Sequence, residues 1–64
     1  MKAAERQLRI RKMLRDSDFV DVETLCRELG ASESSIRRDL EVLQKQNILK
    51  RVYGGAVLLR HKFL

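Results

Sequence analysis

Between Ser32 and Gln46 the chain reads SESSIRRDLEVLQKQ, with Ile36, Leu40 and Leu43 recurring at i, i+4 and i+7. That period is one face of an α-helix. Ser32 is placed to act as N-cap, and Asn47 closes the apolar face at the far end. At about 100° per residue, Ser34, Arg38 and Lys45 project opposite the stripe, with Arg37 and Glu41 beside them. The outward side therefore carries small polar groups near its N-terminal end and cations along its length. Asp39 lies at the edge of the stripe and is expected to pair with a nearby arginine. A helix of about 15 residues spans roughly 22 Å and fits the major groove of duplex DNA.

The flanking pattern supplies the other elements. From Ala3 to Arg15, Ala4, Leu8, Ile10, Met13 and Leu14 approximate a helical stripe, with Arg6, Arg9, Arg11, Lys12 and Arg15 forming a solvated basic side. Asp16, Ser17 and Asp18 break that helix with turn formers, and Phe19-Val20 supplies a short strand or a core plug. Asp21 suits an N-cap, Glu23 favours the helix dipole, and Val22, Leu25, Cys26 and Leu29 make a second helix from Val22 to Leu29. Cys26 on that stripe reads as a small buried hydrophobe. Gly30 stands where a helix needs positive φ to stop, so a turn of about three residues joins two helices as a helix-turn-helix.

After Asn47 the period changes. Ile48 to Tyr53 is rich in β-formers, Gly54-Gly55 is a two-residue hairpin turn signal, and Ala56 to Leu59 forms the return strand. Such a hairpin is a wing. Lys50 and Arg51, with Arg60 and Lys62 on or after the second strand, offer cations to phosphates, and tip glycines allow close backbone approach. The reading is mainly α with a small β-hairpin: a three-helix winged helix-turn-helix over residues 1–60. Residues 61–64, including an exposed His61, form a frayed tail or the start of a linker to an effector domain.

Composition narrows the function. The 64 residues make one small domain with a single modest core. No apolar run approaches the roughly 20 residues needed to cross a bilayer, and Met1 to Arg15 is too charged for a signal peptide. The chain is therefore expected in the cytoplasm, on the nucleoid, with no membrane partner. One cysteine and one histidine leave no disulfide, no zinc site and no catalytic constellation, so neither a cofactor nor an enzyme is expected. The formal charge of +5 favours polyanionic partners. Residues 1–31 hold seven Lys/Arg against six Asp/Glu, whereas residues 32–64 hold seven against three, so the excess lies on the Ser32 helix and the hairpin.

Two runs carry a family resemblance. SESSIRRDLEVL from Ser32 to Leu43 is similar to a pattern of Ser, a few variable residues, Thr or Ser, then Ile-Arg-Arg-Asp-Leu and a later Leu. RVYGGAVL from Arg51 to Leu58 is similar to Arg-Val-His-Gly-Gly-Ala. Over about Glu5 to Leu58 the chain thus resembles the N-terminal DNA-binding domain of DeoR-family bacterial transcription regulators. It departs at Arg11, where an apolar residue is frequent, at Asp18, where Gly is common, and at Tyr53, where His is common. The resemblance implies a repressor of a carbohydrate or nucleoside catabolic operon. It also implies a larger effector domain, when present, that binds a sugar-phosphate-type metabolite and holds a homodimer or higher oligomer.

The expected function is sequence-specific binding of a double-stranded DNA operator. The expected contacts are Ser32, Ser34, Ser35, Arg37, Arg38 and Lys45 on the helix, and Lys50, Arg51, Tyr53, Gly54 and Gly55 in the wing. The alternative is a winged helix serving as a protein-interaction or assembly module. That use calls for an exposed apolar patch, whereas the outward side of the key helix is polar and basic.

Overall fold

The computed structural model describes residues 1–59, so the expectations for Arg60 to Leu64, among them His61 and the cations Arg60 and Lys62, lie outside the described residues. The elements follow as α1 (Ala3–Ser17), β1 (Phe19–Asp21), α2 (Val22–Leu29), α3 (Glu33–Lys45), β2 (Leu49–Val52) and β3 (Gly55–Leu58). The fold is a winged helix-turn-helix. The segment at Phe19 is a strand: β1 pairs antiparallel with β3, and β3 with β2, giving a three-stranded sheet ordered β1-β3-β2.

Each helix stops by the same device. Asp18, Gly30 and Asn47 all take the left-handed conformation, with φ of 65°, 62° and 61°. Asp18 N–H closes onto Leu14 C=O at 2.7 Å, so Asp16 and Ser17 stay helical instead of forming the expected turn. After α3, Asn47 N–H donates to Gln44 C=O at 2.9 Å and Ile48 N–H to Leu43 C=O at 3.0 Å, the paired bonds of a Schellman ending. Asn47 is therefore exposed at the stop and does not close the apolar face.

The core gathers Ile10 and Leu14 of α1, Val20 of β1, Leu25 and Leu29 of α2, Ile36, Leu40 and Leu43 of α3, Leu49 of β2 and Ala56 of β3. Full burial of each large aliphatic among these contributes about 1.5–3 kcal/mol. Two α1 expectations fail: Ala4 is exposed and Leu8 is 63% exposed. The inward stripe of α1 is instead Arg6, Gln7, Ile10 and Leu14, with Met13 half-buried. Its polar end meets Asp39. Cys26 is half-buried against the core rather than within it.

Asp39 is the one charged side chain in the core among the described residues. The Arg6 guanidinium grips it with two bonds, Nε donating to Oδ2 at 2.5 Å and Nη2 to Oδ1 at 3.2 Å, while Gln7 Nε2 donates to Oδ1 at 3.1 Å. The predicted arginine partner exists, but it comes from α1 and not from α3's own surface. The bond to Asp39 raises the Arg6 pKa further above its already high value, so this guanidinium stays charged throughout.

The hairpin turn is shifted by one residue from the expected place. Val52 pairs with Gly55, so the two loop residues are Tyr53 and Gly54, and Gly55 belongs to the strand. Gly54 has φ 78° and Tyr53 does not have positive φ, the sign pattern of a type II turn. Gly55 is buried, and a Cβ there would fall 2.1 Å from Val20 C=O and 2.9 Å from Asp21 Cα.

The two glycines should therefore fail differently. Gly54→Ala, with open space around its Cβ, should cost about 1 kcal/mol of backbone strain, whereas Gly55→Ala should cost about 3 kcal/mol or more because backbone must move. Thermal melts of the two variants check the order. For the Asp39 pair, Arg6→Ala should lower the melting temperature more than Arg9→Ala, because it strands a buried carboxylate. The joint change Arg6→Met with Asp39→Leu should recover most of that loss, since an apolar pair of similar volume removes the stranded charge.

Candidate nucleic-acid interface

The helix-turn-helix begins at Asp21, whose carboxylate accepts from Thr24 N–H at 2.9 Å as the α2 cap. That bond holds the Asp21 pKa below the ordinary carboxylate value. Gly30 ends α2, and Ser32 caps α3, its Oγ accepting from Ser35 N–H at 3.2 Å. Ser32 Oγ also donates to Ser35 Oγ at 3.1 Å and lies 3.3 Å from Ser34 Oγ. The three serines thus form one hydroxyl cluster at the positive end of the α3 dipole. Ser32 is occupied as a cap, Ser35 is half-buried, and Ser34 is exposed.

Burial of Ile36, Asp39, Leu40 and Leu43 turns the other side of α3 to solvent. Arg37, Arg38, Glu41 and Lys45 are all exposed there, as their spacing requires. The two arginines differ in their surroundings: Arg37 Nη2 lies 2.6 Å from Glu33 Oε2, an i,i+4 pair with both side chains 60% exposed. Such a pair is weak and screened by salt, so a phosphate can displace the carboxylate.

The wing lies beside this helix. Its tip carbonyl, Gly54 C=O, accepts from Val22 N–H at 2.9 Å and so ties the hairpin to the start of α2. Tyr53 is fully exposed at the tip. Alternation along β2 sends Leu49 and Arg51 to one face and Lys50 and Val52 to the other, matching the burial pattern. Lys50 and Arg51, grouped together by sequence, thus point opposite ways. Arg51 turns toward α3 and joins Ser34, Arg37, Arg38 and Glu41 around an open cleft of about 380 Å³. Gly55, expected at the wing surface, is buried against β1.

Two participants lie outside the set expected from the sequence. Gln44 Oε1 accepts from Arg51 N–H at 2.7 Å, bridging α3 and β2, and Arg51 Nε is buried with no partner. A glutamine in the last turn of an amphipathic helix carries no signal of such a bridge. Arg6, expected on the solvated basic side, lies instead on the inward face of α1, in line with its i,i+4 spacing to Ile10 and on to Leu14.

Three helices with an apolar-backed third helix, its cationic side beside a β-hairpin, define the winged helix-turn-helix class. This chain belongs to the DeoR-like helix-turn-helix domain family, which it matches over residues 6–62. It is 46% identical over 57 residues to the HTH-type transcriptional regulator GlpR of Haloferax volcanii, covering 89% of this chain and 22% of that protein. It is 43% identical over 56 residues to the HTH-type transcriptional regulator GolR of Listeria innocua, covering 88% and 22%. To the glycerol-3-phosphate regulon repressor of Escherichia coli it is 36% identical over 58 residues, covering 91% and 23%. The chain spans less than a quarter of the length of these relatives. No solved structure matches it significantly. Among the described residues, no helix is long and apolar enough to cross a membrane.

The Asp21 cap yields a pH signature. Its folded-state pKa is depressed, so its stabilising contribution is complete above the ordinary carboxylate pKa, near 4, and is lost as pH falls through the lower folded value. Asp21→Asn keeps an N-cap acceptor but removes this titration. Denaturant melts across the acid range should show the wild-type advantage over Asp21→Asn shrinking as pH drops.

Proposed function

We propose that this chain is the DNA-reading domain of a transcriptional regulator, binding duplex DNA sequence-specifically as part of a repressor of a carbohydrate or nucleoside catabolic operon. The observation that carries the proposal is the cleft in which Ser34, Arg37 and Arg38 of α3 meet Arg51 of the wing. Family membership and the names of the relatives, regulators and repressors among them, support the same reading. The exposed side of α3 enters the major groove. Ser34, Ser35, Arg37 and Arg38 read base edges, and a guanidinium there forks onto guanine O6 and N7. Lys45, Lys50 and Arg51 take backbone phosphates, which position the helix and make affinity salt-dependent. Tyr53 and Gly54 form the wing tip, free to approach the sugar-phosphate backbone. The Ser32 cap holds the first turn in shape for these contacts.

A single domain of this size covers one half-site. Where the whole protein carries an effector domain after residue 60, that domain holds two or more copies together and answers a sugar-phosphate-type metabolite, so that half-sites lie about one helical turn, or a multiple, apart. The protein works in the cytoplasm, on the nucleoid.

Selection of bound sequences from a randomised duplex pool supplies the probe. On that duplex Arg38→Ala should lose about 1–3 kcal/mol of binding and relax preference at one base pair. Lys50→Ala should weaken all duplexes alike and reduce the salt slope by about one unit. Equal binding by wild type and an Arg37→Ala/Arg38→Ala double variant would end the proposal, as would tight capture of a partner protein with no salt-dependent DNA binding.

A further inference from the structure

We propose that Gln44 is a positioning residue: by holding the backbone of Arg51 it sets where the wing stands relative to the reading side of α3, and so where the Arg51 guanidinium meets a DNA phosphate. This rests on the DNA-reading function proposed above. It adds a residue outside the contacting set, and a division of labour between the helix and the wing.

In the sequence β1-β3-β2 the strand β2 is an edge, so one side of its backbone has no ladder partner. Arg51 N–H finds its acceptor outside the sheet, in Gln44 Oε1 at 2.7 Å. At its root the strand is tied to α3 by Ile48 N–H donating to Leu43 C=O, and Leu43 and Leu49 are both buried in the core. Apolar burial is non-directional and the root bond lies three residues before Arg51, so neither fixes the offset of the strand at Arg51 itself. A hydrogen bond from a fixed helical position to a fixed strand amide does fix it.

The residue so held is the one that the wing turns toward the cleft. Arg51 lies on the inward face of β2, lines the cleft with Ser34, Arg37, Arg38 and Glu41, and keeps its Nε buried with no protein acceptor. The enclosed Nε leaves only the terminal nitrogens of the guanidinium to meet an outside ligand, and the acceptor that suits them beside Arg37 and Arg38 is an anionic oxygen. A backbone phosphodiester has that chemistry. With Gln44 in place, the phosphate seat at Arg51 and the base-reading positions of α3 stand at one fixed offset, so both are satisfied together only in the correct register on the duplex.

The experiment compares Gln44→Met, which keeps length and removes the acceptor, with Gln44→Glu, which keeps an acceptor oxygen. Gln46→Glu, an exposed site one residue past α3, measures the effect of the added charge alone. Each Gln44 change is made with Arg51 and with Arg51→Ala. The probes are the duplex selected by the wild-type chain and a scrambled duplex of the same length, and melting temperatures are recorded throughout. Gln44→Met should lower affinity for the selected duplex by about three- to tenfold with a smaller effect on the scrambled one. In the Arg51→Ala background the same change should have a clearly smaller effect, because only the other wing contacts are then left for Gln44 to place. Gln44→Glu should lose no more than Gln46→Glu.

Equal losses from Gln44→Met in both backgrounds, no loss at all, or a variant that fails to fold would each overturn the positioning role. If the wild-type chain binds neither duplex, the DNA-reading function falls and this inference with it. If wild type binds and Gln44→Met binds equally well, only the inference falls.

Discussion

A carboxylate inside the core dictates how this domain is put together. Asp39 sits between Arg38, which faces solvent, and Leu40, which is fully buried, and the turn of the helix carries its charge inward. A buried charge must be paired and hydrogen-bonded. Arg6 and Gln7 of α1 meet that need from one side, with directional bonds that aliphatic packing lacks. The same three bonds therefore fix how α1 lies across α3. They act on the side of α3 away from Arg37 and Arg38, so the exposed arginines are oriented by a contact that they do not share.

The rest of the architecture is a set of abrupt stops joined by short ties. Left-handed residues end all three helices, which keeps the links short enough for the elements to pack on one core. β1, three residues long, bonds to β3 and carries the chain directly into the cap of α2. The wing tip is bonded to the first amide of α2, and β2 is bonded at Arg51 to the last turn of α3. The hairpin is thus anchored to both helices of the helix-turn-helix.

Much of this was legible in the sequence. The 3.6-residue period of Ile36, Leu40 and Leu43, the Ser32 and Asp21 caps and the Gly30 stop gave α2 and α3 nearly to the residue, because these signals are local and each has one physical meaning. The outward setting of Arg37 and Arg38 followed from that period. Readings that failed depended on partners far along the chain. Apolar Leu8 was assigned to the core and Arg6 to solvent, whereas the distant Asp39 reverses them. Two adjacent glycines read as the turn, but Gly55 is required by the closeness of β1, some 35 residues earlier. Asn47 looked like the end of a stripe, whereas its backbone serves as a stop. Lys50 and Arg51 looked like a single basic patch until the register of β2 separated them.

That separation bears on how the wing can change over evolutionary time. Side chains along β2 alternate between two environments, so substitution at one position leaves its neighbours where they were. Adding or deleting one residue before Arg51 would exchange the environments: Lys50 would enter the cleft, and the guanidinium would swing out to open water. Leu49 would leave the core in the same event. Drift in this hairpin is thereby confined to changes of letter at constant length, with the count from Asn47 to Gly54 held by packing and by the cleft alike.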